Sequence, residues 1–200
     1  YNKIDEPSVY RHINFIHDYY KTLDPEFTGL DYPVPTLVAI PGYANAYWVG
    51  TGVAFGAGDG VYYRDFGLSS EIVYHEYTHG VTDKIYTGID FPYADEPGAM
   101  NEGWSDYFGC LLSLSQTPKV GDGGVIVGSP DGFRTLDNSF RRETDWYGEV
   151  HEDSQMFSGA LWEARQALGG EVMDKLVHYA RYAHAMTFED EVLAILLEDD

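Results

Sequence analysis

Five consecutive residues, His75-Glu76-Tyr77-Thr78-His79, carry the most informative chemistry in the chain. Two histidines four apart lie one above the other on a helix face, so both imidazoles reach one metal ion. Glu76, beside the first, then reaches a water on that ion without binding it. The bland reading is two partly exposed helical histidines near an acid. A catalytic zinc needs a third protein ligand and keeps one position open. Glu102, 23 residues after His79, can supply that ligand, and Asp106 lies one turn further along the same face. Glu102, Asp106, Gly109 and Ser113 form a stripe of polar or small residues, which leaves Trp104, Phe108, Leu111 and Leu112 for packing. A polar stripe on a helix otherwise built for an interior suits the wall of a metal site.

These residues need helices to present them, and the punctuation of the chain supplies candidates. Val9, Ile13, Ile16 and Tyr20 mark a helix from Pro7 to Leu23, ended by Asp24-Pro25. From Pro35 to about Phe66 the composition shifts to Val, Tyr, Phe, Ala and Gly, which predicts short strands broken by Pro41-Gly42 and by Gly56-Ala57-Gly58-Asp59-Gly60. Ser69 or Ser70 then caps a helix in which Val73, Tyr77, Val81 and Lys84/Ile85 recur until Gly88. A helix from about Ala99 to Ser115 follows, then a loop-rich insert from Lys119 to Trp146. Further helices are predicted near Ser154–Leu168 and Glu171–Met186, with a last one opened by Thr187. Strands are thus expected in the first third and helices in the rest.

Thirty-three acidic against 12 basic side chains give a formal charge of −21, in a chain of 200 residues that is 44% hydrophobic. That composition suits a globular fold and excludes disorder. Scattered lysines and arginines argue against a nucleic-acid partner, and the acidity argues against an anionic membrane surface. No run approaches the roughly 18 apolar residues of a membrane helix, and Tyr1 to Pro7 lacks the features of a signal peptide. The expectation is a cytosolic protein or the trimmed product of an exported one. Cys110 stands alone, so no internal disulfide is expected, and a small buried role suits it. His12, His17, His178 and His184 lack ligand spacing and read as structural or solvated.

The chain resembles the thermolysin-type zinc metallopeptidases, the gluzincin group that includes the thermolysin- and fungalysin-like families. His75 to Asp83 is similar to the zinc helix of that group, and Tyr93-Ala94-Asp95-Glu96-Pro97-Gly98-Ala99-Met100-Asn101-Glu102 to its Y-x-x-E-x-G-A-x-N-E run, continued by Asp106-Tyr107-Phe108-Gly109. Asn45-Ala46-Tyr47-Trp48 with the Gly56–Gly60 turn resembles its edge strand, and Val150-His151 its later histidine segment. The resemblance implies zinc on His75, His79 and Glu102, as in the His₂Glu set of thermolysin. It implies Glu76 as the base that activates water, and Tyr93 and His151 as donors to the oxyanion. Asn101 and Asp106 would orient the ligand histidines, while Asn45 and the Ala46 backbone would hold substrate. Arg134 would meet a substrate carbonyl, with an ion pair to Asp137 as the alternative.

The fold implied is α+β, a zincin-like two-lobe peptidase with a strand-rich N-terminal lobe, 1–116, and a helical C-terminal lobe, 117–200, small or truncated, with the zinc helix between them. The activity implied is hydrolysis of internal bonds in peptides or proteins by a secreted or extracellular enzyme made with a propeptide. The chain also departs from the pattern. Glu71 fits one ligand of the group's calcium site, but Ser113 stands where a later glutamate belongs, which argues against calcium there. The acid that orients the catalytic histidine is out of register, with Asp145 or Glu149 as substitutes. Two rivals remain: an aminopeptidase that anchors a free amine on Glu96 or Glu149, and a zinc-stabilised binding module without catalysis.

Overall fold

Nine residues in succession, Ser70 to Thr78, are buried in the helix α2 (Ser70–Ile85). A helix buried all round must be enclosed by other elements. In this computed structural model, which describes residues 4–113, 117–122, 124–129 and 131–199, the enclosure comes from three sides. Helix α1 (Asp5–Leu23) covers one flank, where Tyr20 Oη lies 3.0 Å from Thr78 Oγ1 and His12 Nδ1 2.6 Å from Tyr74 Oη. A small sheet covers the second. The third is helix α3 (Asp95–Leu112), which is itself packed between α2 and helix α5 (Val150–Leu168). Gly109 makes the α2–α3 crossing possible: a β-carbon there would stand 2.9 Å from the Glu71 carbonyl oxygen.

The sheet has the order β1 (Thr36–Ile40), β3 (Val53–Gly56), β2 (Ala46–Trp48). Strand β3 pairs parallel with β1 and antiparallel with β2, in a register that sets Ala46 opposite Phe55 and Trp48 opposite Val53. The central strand is wholly buried, as its Val-Ala-Phe-Gly sequence requires of a strand covered on both faces. Among the described residues, strand β2 has a partner on one side only, which leaves its outer edge open to pairing. The apolar core falls into two clusters. One joins the sheet to the start of α1 and to Ile72 and Val73, and the larger joins α1, α2, α3 and α5 to helix α6 (Gly170–Ala180). Asp174 of α6 ties that cluster together, accepting from Tyr19 Oη at 2.8 Å, Tyr107 Oη at 2.6 Å and Arg165 Nε at 2.8 Å.

Several boundaries differ from the sequence expectation, for local reasons. Helix α3 starts at Asp95, because Pro97 sits in its first turn, where its missing N–H is no loss. It ends at Leu112, and Ser115 lies outside the described residues, as do Gly123 and Pro130 of the expected turns. Helix α6 stops at Ala180, and the chain turns through the 3-10 segment Arg181–Ala183 and a left-handed His184. Helix α7 (Phe188–Glu198) follows, capped by Thr187. The insert is not all loop, nor are strands confined to the first third. β4 (Lys119–Val120) pairs antiparallel with β5 (Arg134–Thr135), and α4 (Arg142–Asp145) adds one helical turn. Strands of two residues are too short to show alternation. No helix among the described residues is long and apolar enough to cross a membrane.

Cys110 is buried, and the histidines without ligand spacing have structural partners. His17 meets Asp18 and Asp31 at the surface, and His184 Nε2 lies 3.0 Å from the Ile85 carbonyl. His178 is fully buried, between Arg181 Nη2 at 2.5 Å from its Nδ1 and Asp24 Oδ2 at 3.2 Å from its Nε2. The guanidinium can only donate, so Nδ1 accepts and the ring is neutral. Burial and Arg181 push this imidazole down to about 3, against an ordinary 6.5. The unfolded chain therefore takes up the proton first, and the stabilisation, complete above pH 6.5, is lost as pH falls from there towards 3. Urea unfolding at pH 5 is expected to show a loss of roughly 2 kcal/mol from this group relative to pH 7. The loss should be clearly smaller in His178→Gln, and equal losses in both proteins would remove His178 as its source.

Candidate metal centre

Helix α2 presents His75 and His79 on consecutive turns toward α3, and α3 presents Glu102 back to them. The imidazole Nε2 atoms lie 3.0 Å apart, and Glu102 places Oε2 3.4 Å from His75 Nε2 and Oε1 3.3 Å from His79 Nε2. One ligand atom from each of the three residues falls within 4.8 Å of the others. The outer ring nitrogens are also engaged. His75 Nδ1 is 2.8 Å from Asp106 Oδ1, while His79 Nδ1 is 2.9 Å from Asn101 Oδ1 and 3.1 Å from Ser105 Oγ. Acceptors at Nδ1 put the proton there and leave the Nε2 lone pairs facing inward.

Two lone pairs aimed at each other across 3.0 Å repel unless a positive charge lies between them. Glu102 Oε2 sharpens that demand, since it is buried without a hydrogen bond. Without an ion the side chains show the same demand for positive charge, which a proton on the His75 ring then meets and a metal would replace. Burial would depress His75, yet Asp106 and Glu102 outweigh it and hold the imidazole up at about 10. Burial would raise Glu102, but His79 and His75 keep it well below the usual carboxylate range. Two imidazoles and a carboxylate are a donor set suited to zinc, and the residues present fit such an ion.

Arg134, carried on β5, forms a two-pronged bond to Asp106, with Nε at 2.7 Å from Oδ2 and Nη2 at 2.6 Å from Oδ1. The pair is interior, and Arg134 Nη2 also lies 3.6 Å from Glu102 Oε2, so the expected alternative of a surface pair with Asp137 is set aside. Ser154 Oγ of α5 reaches Asp106 Oδ2 at 3.4 Å. Burial pushes the Asp106 carboxyl up, but Arg134 outweighs it and holds it below its ordinary value.

Tyr93 and His151 meet at the same carboxylate. The Tyr93 hydroxyl donates to Glu102 Oε1, and His151 Nε2 lies 3.4 Å from that hydroxyl and 3.5 Å from Oε1. Of the two acids considered for orienting His151, Glu149 is the one in contact, with Oε1 at 2.7 Å from Nδ1. Its Oε2 accepts from the His151 and Glu152 amides, so one side chain caps α5 and holds the ring. Glu76 is buried, and burial raises its carboxyl. Glu76, Tyr93, Glu102 and His151, with Asn45, Ala46 and Arg134, line one cleft of about 1060 Å³. Away from it, Ser113 Oγ donates to the Cys110 carbonyl at 3.0 Å, so the serine in the glutamate position turns onto its own helix.

Ser105 and Ser154 were not anticipated. Ser105 had a signal, since it lies four residues after Asn101 on the same helix and so shares its face. Ser154 had none.

Comparison with known proteins places this geometry. The model of the fungalysin metallopeptidase family matches residues 54–178, and that of the thermolysin metallopeptidase catalytic domain matches residues 8–83. Bacillolysin of Bacillus amyloliquefaciens is 28% identical over 176 residues, spanning 77% of this chain and 32% of that protein. Thermolysin of Alicyclobacillus acidocaldarius subsp. acidocaldarius is 38% identical over 152 residues, spanning 72% of this chain and 26% of that protein. The chain thus spans between about a quarter and a half of the length of the curated relatives it matches. The solved precursor of protealysin, a metalloproteinase from Serratia proteamaculans, superposes with a TM-score of 0.82 over 98% of this chain and 72% of that one, at 20% identity. Fold and family matches together define a thermolysin-like metallopeptidase of α+β architecture. The chain belongs to the fungalysin metallopeptidase family.

Removing Asp106 would leave Arg134 and His75 buried without their carboxylate. Asp106→Ala is expected to destabilise the protein by roughly 3–5 kcal/mol in urea unfolding. Adding Arg134→Leu should recover part of that loss, and strictly additive losses would mean that the pair is not coupled.

Proposed function

We propose that this chain carries the catalytic centre of a zinc-dependent endopeptidase that hydrolyses internal bonds of peptides or proteins. The observation that carries the reading is the convergence of Tyr93 Oη and His151 Nε2 beside Glu102, in a cleft also lined by Glu76. A structural zinc site needs none of Glu76, Tyr93 and His151, which weighs against a binding module.

His75, His79 and Glu102 would hold the ion. Bound there, zinc would lower the pKa of a water toward about 7 and polarise the scissile carbonyl. Asn101 and Asp106 keep the ligand imidazoles in the tautomer that offers Nε2. Glu76 takes the proton of the attacking water and passes it to the leaving nitrogen, a transfer favoured by a carboxyl whose pKa burial has raised. Tyr93 and His151 donate to the oxyanion that forms on the carbonyl. Asn45 and the Ala46 backbone hold the substrate chain along the free edge of β2, and Arg134 reaches a substrate carbonyl. Residues 1–116 and 117–200 are read as the two lobes that wall the cleft.

Two carboxylates that are already engaged favour internal cleavage over release of N-terminal residues. Glu96 accepts from Arg142 Nε at 3.0 Å and from the Phe188 amide at 2.8 Å, and Glu149 is engaged by His151 and the start of α5. Neither candidate anchor for a free amine stands ready for one. A propeptide in the precursor and a secreted location accompany this reading.

The deciding test is a peptide blocked at both ends, incubated with and without a zinc chelator. Cleavage at an internal bond that stops with chelation and returns with zinc is expected, and its absence in zinc-loaded protein would defeat the proposal. Glu76→Gln should keep zinc at wild-type stoichiometry and lower turnover by about 10²–10⁴-fold. Glu102→Ala should instead lose the metal, and a Glu102→Ala protein that retains stoichiometric zinc would overturn its assignment as a ligand.

A further inference from the structure

Tyr93 is delivered to the site by a strained piece of backbone. Two residues after it, Asp95 adopts φ +50°, a left-handed conformation that a non-glycine residue seldom takes. Such a residue persists only where its surroundings over-determine it. Here Asp95 is the first residue of α3, and the next residue, Glu96, reaches out of the helix in two directions. Its Oε2 accepts from the Phe188 amide at 2.8 Å, at the start of α7, where a carboxylate also suits the helix dipole. Its Oε1 accepts from Arg142 Nε at 3.0 Å.

Both partners are themselves held. The Arg142 guanidinium lies 4.0 Å over the Trp146 ring, and Trp146 meets the Phe188 ring at 6.2 Å between centroids. Phe188 stacks on Phe157 at 5.2 Å and 13°, and Phe157 meets Trp104, two residues past Glu102, at 5.8 Å. The same junction also fixes His151. A β-carbon on Gly98 would stand 2.6 Å from Val150 Cγ1 and 3.0 Å from the Tyr93 carbonyl carbon, so Gly98 is where the residue before His151 and the end of the Tyr93 turn come together.

We propose that Glu96 is a positioning residue: by tying the strained start of α3 to Arg142 and to the Phe188 amide, it fixes the turn that carries Tyr93 and sets the separation of Tyr93 Oη from His151 Nε2. The inference rests on Tyr93 and His151 acting together as donors to the oxyanion. Glu96 touches neither substrate nor metal in this role. Its effect is geometric, and displacements of about 1 Å at such donors cost up to about a hundredfold in rate.

The experiment compares wild type, Glu96→Ala, Glu96→Gln and Arg142→Leu, each loaded with zinc, on the peptide blocked at both ends and on the same peptide with a free amino end. Glu96→Ala is expected to lower kcat by about tenfold to a hundredfold, with KM within about threefold of wild type and zinc unchanged. Glu96→Gln keeps an oxygen for the Phe188 amide and should recover most of the rate. Arg142→Leu, a change at a half-exposed residue, should lose a smaller factor. A crystal structure of zinc-loaded Glu96→Ala should show the Tyr93 hydroxyl moved away from His151 Nε2, a readout that does not depend on turnover. An unchanged kcat in Glu96→Ala, or a KM rise confined to peptides with a free amino end, would overturn the proposal. A Tyr93 hydroxyl that stays in place would do the same. If wild type cleaves no blocked peptide, the endopeptidase reading fails on its own, and the crystal structure alone decides for or against Glu96.

Discussion

Asp106 sits on an interior turn of α3 and accepts from Arg134 through two nitrogens while it faces the Nδ1 of His75. The remaining architecture is arranged around that contact. A fully buried carboxylate is tolerable only when it is paired and hydrogen-bonded on several sides. The need for Arg134 explains why β5, a strand of two residues, is brought to the flank of α3, and why α5, which touches β5, supplies Ser154 to the same carboxylate oxygen. The need for His75 explains why α2 crosses α3 so closely that only glycine fits at position 109. One charge satisfied from three elements fixes the orientation of the imidazole whose other nitrogen points into the cleft.

Helix α3 consequently performs two tasks along its length. Asn101, Glu102, Ser105 and Asp106 form the face that meets α2, while Met100, Trp104, Tyr107, Phe108 and Leu111 build the larger core. The division costs the helix any solvent-facing stripe, which is why it must be covered on both sides. Burial also sharpens its electrostatics, because charges and dipoles act more strongly on one another where water is excluded. Tyr93, His151 and Glu102 occupy the rim between this dry wall and the open cleft. Groups placed there can bind a substrate that arrives from water and still act in a medium that does not screen them.

Much of this was legible in the chain, and the part that was not has a physical explanation. Four-residue spacing on a helix is a local property, so His75 with His79 and Glu102 with Asp106 could be read as pairs that share a face. The position of Gly109 within the polar stripe was likewise visible, although its purpose, the approach of α2, was not. Partners supplied by other elements carry no local signal. Nothing near Arg134 in the chain points to Asp106, and Asp137, its sequence neighbour, was the natural alternative. Glu149 and Asp145 were equal candidates for His151 until the cap of α5 fixed which carboxylate turns inward. The β4–β5 ladder escaped notice because two residues cannot show a period of two. The left-handed Asp95 escaped because the partners of its neighbour Glu96, Arg142 and the Phe188 amide, lie far along the chain.

A second buried histidine in the same fold shows what distinguishes the metal site from ordinary packing. His178 also lies between an acid and an arginine, yet burial and Arg181 push its imidazole down to about 3, whereas the carboxylates around His75 hold that ring up at about 10. Burial penalises the charged form of both rings equally in kind. What differs is the balance of neighbours. Around His178 a guanidinium meets the ring directly, and Asp24 is already compensated by the Tyr182 hydroxyl and the Glu26 amide, so the positive charge needed there is built into the chain. Around His75 and His79 the carboxylates of Glu76, Glu102 and Asp106 face one guanidinium, and that guanidinium is spent on Asp106. The chain supplies too little positive charge for the acids it buries at this point. A bound cation would complete the balance, and the Nε2 atoms of His75 and His79 are where it would be held.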